Sequence, residues 1–179
     1  MSKVVVISGS PSSTSRMDGL LKHTIAYLEK SGVQTTWIRV RDLPAEDLLK
    51  ARFDSPAIIQ ANATVAQSDA VIVATPIYKA SYSGVLKAFI DLLPQDAFEN
   101  KLLLPLAMGG TLAHYNSIDY AMKPMLSALG GTQILTGMFV VDTQVSWNGD
   151  GELEMQEEVR ARHTRTLEQF VMKLNKITV

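Results

Sequence analysis

The chain contains no cysteine. That absence excludes disulfides, thiolate nucleophiles and thiolate metal sites together. No apolar run approaches the roughly 20 residues that a bilayer-spanning helix needs. The first residues lack the charged, apolar and small-residue sections of a secretory signal, so a cytoplasmic protein is expected. Charge is nearly balanced, 17 Lys and Arg against 18 Asp and Glu, which argues against a general affinity for nucleic acid or anionic membrane. The three histidines, His23, His114 and His163, are scattered, and no acidic or histidine cluster has metal-ligand spacing. His114 and Asp119 with a serine come nearest to a hydrolase triad, but no nucleophile elbow accompanies them. Two phosphate signatures are also missing, the Gly-x-Gly-x-x-Gly fingerprint and the Walker loop.

What is present is an alternation. Its 179 residues suit one domain, residues 1–179, and no repeat or linker divides them. Strand-like apolar runs fall at residues 4–8, 36–40, 69–76, 101–108 and 133–141. The first, third and fourth are apolar nearly throughout, which suits parallel strands covered on both faces. Helical patterns lie between them. Ser15 is placed to cap the first helix and Gly32 to end it, and Ser55 with Pro56 opens a second running to Gln67. Ser83 caps a third that Pro94 ends, Gly130 and Gly131 close a fourth over 114–129, and a charged surface helix covers about 152–173. This is an α/β pattern, a five-stranded parallel sheet with helices on both faces. Such sheets bind ligands beyond the carboxyl ends of their strands.

Three loops meet that requirement. After the first strand comes "GSPSSTSR", residues 9–16, a run of hydroxyls and one arginine opening a helix, which suits a phosphate. After the third, Pro76, Ile77 and Tyr78 leave the sheet where backbone amides and apolar side chains can meet a flat heteroaromatic ring. After the fourth, Gly109-Gly110-Thr111 lets a planar ligand approach the backbone. A monophosphate at one end and a ring between two loops describe flavin mononucleotide.

These residues resemble the flavodoxin-like NADPH-dependent FMN reductases, specifically the alkanesulfonate-utilisation type that feeds a two-component monooxygenase. The resemblance covers roughly residues 4–142 and is carried by "GSPSSTSR", "ARFDSPA", "VATPIYKASYSGVLK", "LPLAMGGTLAHY" and "DYAMKPMLSALG". It implies a flavodoxin-like three-layer sandwich, FMN and NADPH as cofactors, and a flavin-dependent monooxygenase as the partner accepting reduced FMN. It also implies Ser10, Ser15, Arg16 and Met17 around the phosphate. Pro76, Ile77, Tyr78 and Lys79 would line the isoalloxazine, with Ser81 and Ser83 near it and Gly109, Gly110 and Thr111 on its other side. Many relatives carry arginine where this chain has Ser12, so phosphate affinity would rest on Arg16.

Pro124 lies inside the fourth helical pattern. It has no N–H for the carbonyl of Tyr120, a defect costing about 3 kcal/mol in a regular helix. A π-bulge absorbs such a defect. The resemblance implies a π-helix at a subunit interface, with Tyr120 linked to release of reduced flavin. Val85, Leu86, Phe89, Ile90, Leu93, Met122, Met125 and Leu126 offer more apolar surface than one domain needs, and with the resemblance they point to a homodimer or tetramer.

Flavin reduction by a nicotinamide needs two rings held in contact and water excluded, not a general acid or a nucleophile. Two other readings stay open. One is a reductase of quinones or azo dyes with tightly bound FMN. The other is a flavodoxin-like electron carrier, against which the near-zero charge speaks, since such carriers use strong acidity to meet basic partners.

Overall fold

The computed structural model describes residues 1–177. Five strand lines form a parallel sheet in the order β2 (Gln34–Arg39), β1 (Lys3–Ser8), β3 (Ala70–Tyr78), β5 (Leu102–Gly109) and then β6 (Gln133–Ile134) with β7 (Met138–Val141). This is a flavodoxin-like doubly wound sheet, whose strand order reverses between β1 and β3. Val4, Val6, Ala70, Ile72, Leu104 and Leu106 pack on one face under α1 (Arg16–Lys30) and α6 (Glu157–Ile177). Val5, Ile7, Val71, Val73, Leu103 and Ala107 pack on the other face. There they meet α3 (Pro56–Ala66), α4 (Gly84–Ile90) and α5 (Lys123–Ala128). Burial of consecutive strand residues on both faces explains why these strands do not alternate.

Several elements depart from the sequence expectation. The fifth strand is broken between Ile134 and Met138, opposite Pro105 in the middle of β5. Pro105 has no N–H to give, and a central strand cannot absorb that loss without a gap in its neighbour. Gly137 fills the gap at φ +86, where an added Cβ would lie 2.6 Å from the Pro105 carbonyl oxygen. Residues 152–156 are not helical. They contribute β9 (Leu153–Met155), which pairs with β8 (Val145–Trp147) in an antiparallel hairpin packed on α1. A short helix α2 (Ala45–Leu49) also intervenes, and it diverts Ser55 from side-chain capping. The Ser55 hydroxyl donates instead to Asp47 Oδ2 at 2.6 Å.

The apolar residues expected to be surplus are used within this one chain. Leu86, Phe89, Met122 and Leu126 are fully buried, and Ile90, Leu93 and Met125 nearly so. Oligomer formation therefore cannot be argued from them.

The π element does stand in the structure. Ile118–Met122 is wound as a π-helix, and the Lys123 N–H donates to the Ile118 carbonyl, before Pro124 enters α5. Tyr120 is 81% exposed rather than packed in the core.

Two buried basic side chains tie the layers together. Lys101 donates to the carbonyls of Ala66 and Ser68 at 3.0 and 2.6 Å, closing the end of α3, and burial lowers its pKa. His163 on α6 bonds Thr24 Oγ1 on α1 at 2.8 Å. Burial, and secondarily the charge of His23, pull the His163 pKa from 6.5 to about 4. The unfolded chain therefore takes up this proton first as pH falls. Stability from a neutral His163 is complete above pH 6.5 and is lost as pH drops from 6.5 towards 4. The loss amounts to roughly 3 kcal/mol. Urea midpoints measured across this range should fall in the wild type and fall much less in His163→Gln.

Candidate active site

The carboxyl ends of β1, β3 and β5 enclose a cleft of about 500 Å³. Its walls include Ser10, Ser15, Arg16, Pro76, Ile77, Tyr78, Gly109 and Gly110, all singled out from the sequence. Ser12, Thr14, Met108, Asp142 and Trp147 complete it. Local chemistry explains each loop. Ser15 caps α1 by accepting from the Met17 N–H at 3.1 Å, so the positive end of that helix dipole faces the cleft wall. Gly9 brings the end of β1 against α4 so closely that an added Cβ would sit 2.4 Å from Leu86 Cβ. A Cβ on Gly110 would meet nothing nearer than Asp142 Oδ2 at 3.9 Å. The backbone there is open to a planar ligand.

Five other residues expected at the site do not line the cleft. Met17 is fully buried in the core under α1. Lys79 and Ala80 form the two-residue turn between β3 and β4 (Ser81–Tyr82), at φ +50 and +65. Such left-handed residues cost about 1–3 kcal/mol each, and the turn carries the Lys79 side chain out to solvent. Ser81 pairs with Tyr78 and faces a second cleft. Thr111 caps a short turn through the Ala113 N–H.

Ser83 is 2% exposed, and its bonds are all spent on the fold. Its hydroxyl donates to the Gly9 carbonyl at 2.6 Å and accepts from Leu86 N–H at 3.0 Å, while its own N–H donates to Thr75 Oγ1 at 2.9 Å. It joins the first loop, β3 and α4 beneath the cleft.

Arg16 is the cation on the cleft wall. It lies 3.8 Å from Asp142 Oδ2, a half-exposed pair that a phosphate would have to compete with. Asp142 and Trp147 come from beyond the fifth strand, outside the three loops that the sequence points to, and only the folded chain brings them to the cleft wall. No His, Asp or Glu group among the described residues could hold a metal ion. No helix among them is long and apolar enough to cross a membrane.

The sequence model of the family described as NADPH-dependent FMN reductase matches residues 2–146. The chain belongs to that family. It is therefore an oxidoreductase, and FMN and NADPH are the cofactors this reductase family is named for. An FMN reductase (NADPH) of Pseudomonas putida is 46% identical over 172 residues, 96% of this chain and 87% of its own length. An FMN reductase (NADPH) of Escherichia coli is 47% identical over 143 residues, 80% and 75% of the two chains. The crystal structure of an NADH:FMN oxidoreductase (EMOB) in its apo form is 35% identical with a TM-score of 0.87, covering 97% of this chain and 90% of that one. The donor set in the cleft wall of this FMN reductase, an arginine, hydroxyls and open glycine backbone, is of the kind that a flavin phosphate and ring need. Ser83→Ala should lower unfolding stability by about 1–3 kcal/mol, because the Leu86 N–H then loses its buried acceptor and the Gly9 carbonyl its donor. Urea denaturation checks this.

Proposed function

We propose that this reductase takes FMN as an exchangeable substrate, reduces it with NADPH, and passes reduced flavin to a flavin-dependent monooxygenase of the alkanesulfonate type. The reading rests on the cleft of about 500 Å³, whose wall combines Arg16 and the loop hydroxyls with Gly109–Gly110. Arg16 and the hydroxyls of Ser10 and Ser15 would hold the phosphate. Pro76, Ile77, Tyr78, Gly109 and Gly110 would hold the ring. When bound, FMN supplies the ring that takes up the hydride of the nicotinamide. The protein binds and orients the two rings and excludes water between them. Asp142 weakens the grip, since its carboxylate both competes for Arg16 and repels a phosphate. A site that balances its own cation suits release of product.

The deciding experiment is the initial rate of NADPH oxidation as free FMN is raised, on protein whose visible spectrum is recorded first. A colourless protein whose rate rises from near zero and saturates is expected. A yellow protein whose rate ignores added FMN would replace this reading with a bound-flavin reductase of quinones or azo dyes. No oxidation at all would leave an electron carrier. Asp142→Asn is expected to tighten FMN by several-fold, about 1 kcal/mol, with riboflavin unchanged in fluorescence titration.

The same reading extends to Tyr120. This exposed ring borders a cleft of about 600 Å³ with Tyr82, Pro124 and Met125. Leu112 and Tyr115, a few positions before it in the chain, are also exposed, and exposed apolar side chains of this kind suit a second copy of the chain. We place a cytoplasmic homodimer or tetramer on this surface, with Tyr120 controlling flavin retention through the π-helix. Tyr120→Ala should purify with FMN bound. Colourless Tyr120→Ala protein with unchanged turnover would refute that role.

A further inference from the structure

The serine-rich loop holds itself only weakly. Its internal bonds are the exposed pairs of Ser12 Oγ with Thr14 Oγ1 at 3.1 Å and with Thr14 N–H at 3.2 Å, and a long one of 3.5 Å from the Ser10 hydroxyl to the Ser12 carbonyl. The stronger restraint comes from Arg41, in the turn that follows β2. Its Nη1 donates to the carbonyls of Ser10 and Ser12 at 3.3 and 3.1 Å, and its Nη2 donates to Asp18 Oδ2 at 2.5 Å. Asp18 sits in the first turn of α1, 5% exposed, and also accepts from Ser8 Oγ at 3.3 Å.

One rigid guanidinium therefore ties two points of the loop backbone to the helix that the loop opens. The hydrogen bond with Asp18 raises the Arg41 pKa above its ordinary value, so the fork is permanently charged. Arg41 is absent from the cleft wall and makes its contacts from behind the loop. A trans peptide puts its C=O and N–H on opposite sides. Drawing the Ser12 carbonyl towards Arg41 thus turns the Ser13 N–H away from it.

We infer that Arg41 is the positioning residue of the phosphate loop, setting the preference for phosphorylated flavin without touching the phosphate. The inference rests on the reading that this loop takes the FMN phosphate. A purely structural Arg41 would serve only to neutralise buried Asp18. Lysine separates the two roles, because it keeps the charge beside Asp18 and lacks the fork that holds two carbonyls as well.

The test compares FMN with riboflavin in wild type, Arg41→Lys and Arg16→Ala. Arg41→Lys is expected to raise the KM for FMN about tenfold or more, as loosened positioning does. The KM for riboflavin and both kcat values should stay within about twofold. A KM for FMN that is unchanged, or that rises equally with the KM for riboflavin, overturns the role. If Arg41→Lys does not fold, the double variant Arg41→Gln/Asp18→Asn, which removes both charges, is read in the same way. Loss of FMN preference in Arg16→Ala but not in Arg41→Lys sinks the role of Arg41 and leaves the phosphate loop standing. A wild type without preference for FMN sinks both.

Discussion

The hydroxyl of Ser83 is the contact on which the cleft is built. Through it the end of β1 and the start of α4 share one buried oxygen, 2.6 Å from the Gly9 carbonyl and 3.0 Å from the Leu86 amide, while the Ser83 N–H brings in β3 by donating to Thr75 Oγ1 at 2.9 Å. Gly9 is required for that approach, because any side chain there would strike Leu86. Strand order creates a crevice at this place in any doubly wound sheet. The Ser83 contact makes it a rigid one, with loops on both sides fixed to a common floor.

Above that floor the electrostatics are deliberately divided. One arginine, Arg41, is committed to the fold, paired with buried Asp18. The other, Arg16, is half-exposed and shared with Asp142. A buried pair is costly to break and serves as a fixture. An exposed pair contributes little and is readily exchanged for another partner. Placing the first behind the loop and the second on its face gives a rigid cradle with a replaceable counter-ion.

Much of this was legible in the sequence, for local reasons. The unbroken apolar runs gave the central strands, and Ser15 and Ser83 announced the helices they cap. Eight residues singled out beforehand line the cleft, because loops at strand ends are positioned by the strands themselves. The missing parts are long-range. Arg41 reaches carbonyls 29 and 31 positions away, and no spacing rule reports such a bond. The strands of the β8–β9 hairpin are three residues each, too short to show a period. Ser55 looked like a cap, but the adjacent Asp47 offered its hydroxyl a stronger acceptor. Ser83 was read as a ligand contact, and only burial reveals that its hydroxyl is already occupied.

Pro105 has a wider effect than the gap it forces. A sheet ending in one long, regular strand offers an unpaired ladder on which another chain can add itself. Here the outer line is split into two residues and four, offset by the Gly137 turn. No stretch of that border is long enough to template a foreign strand. A single missing donor in the interior thus shortens this margin of the sheet, and Arg162 on α6, which donates to the Phe139 carbonyl at 2.9 Å, occupies part of what remains.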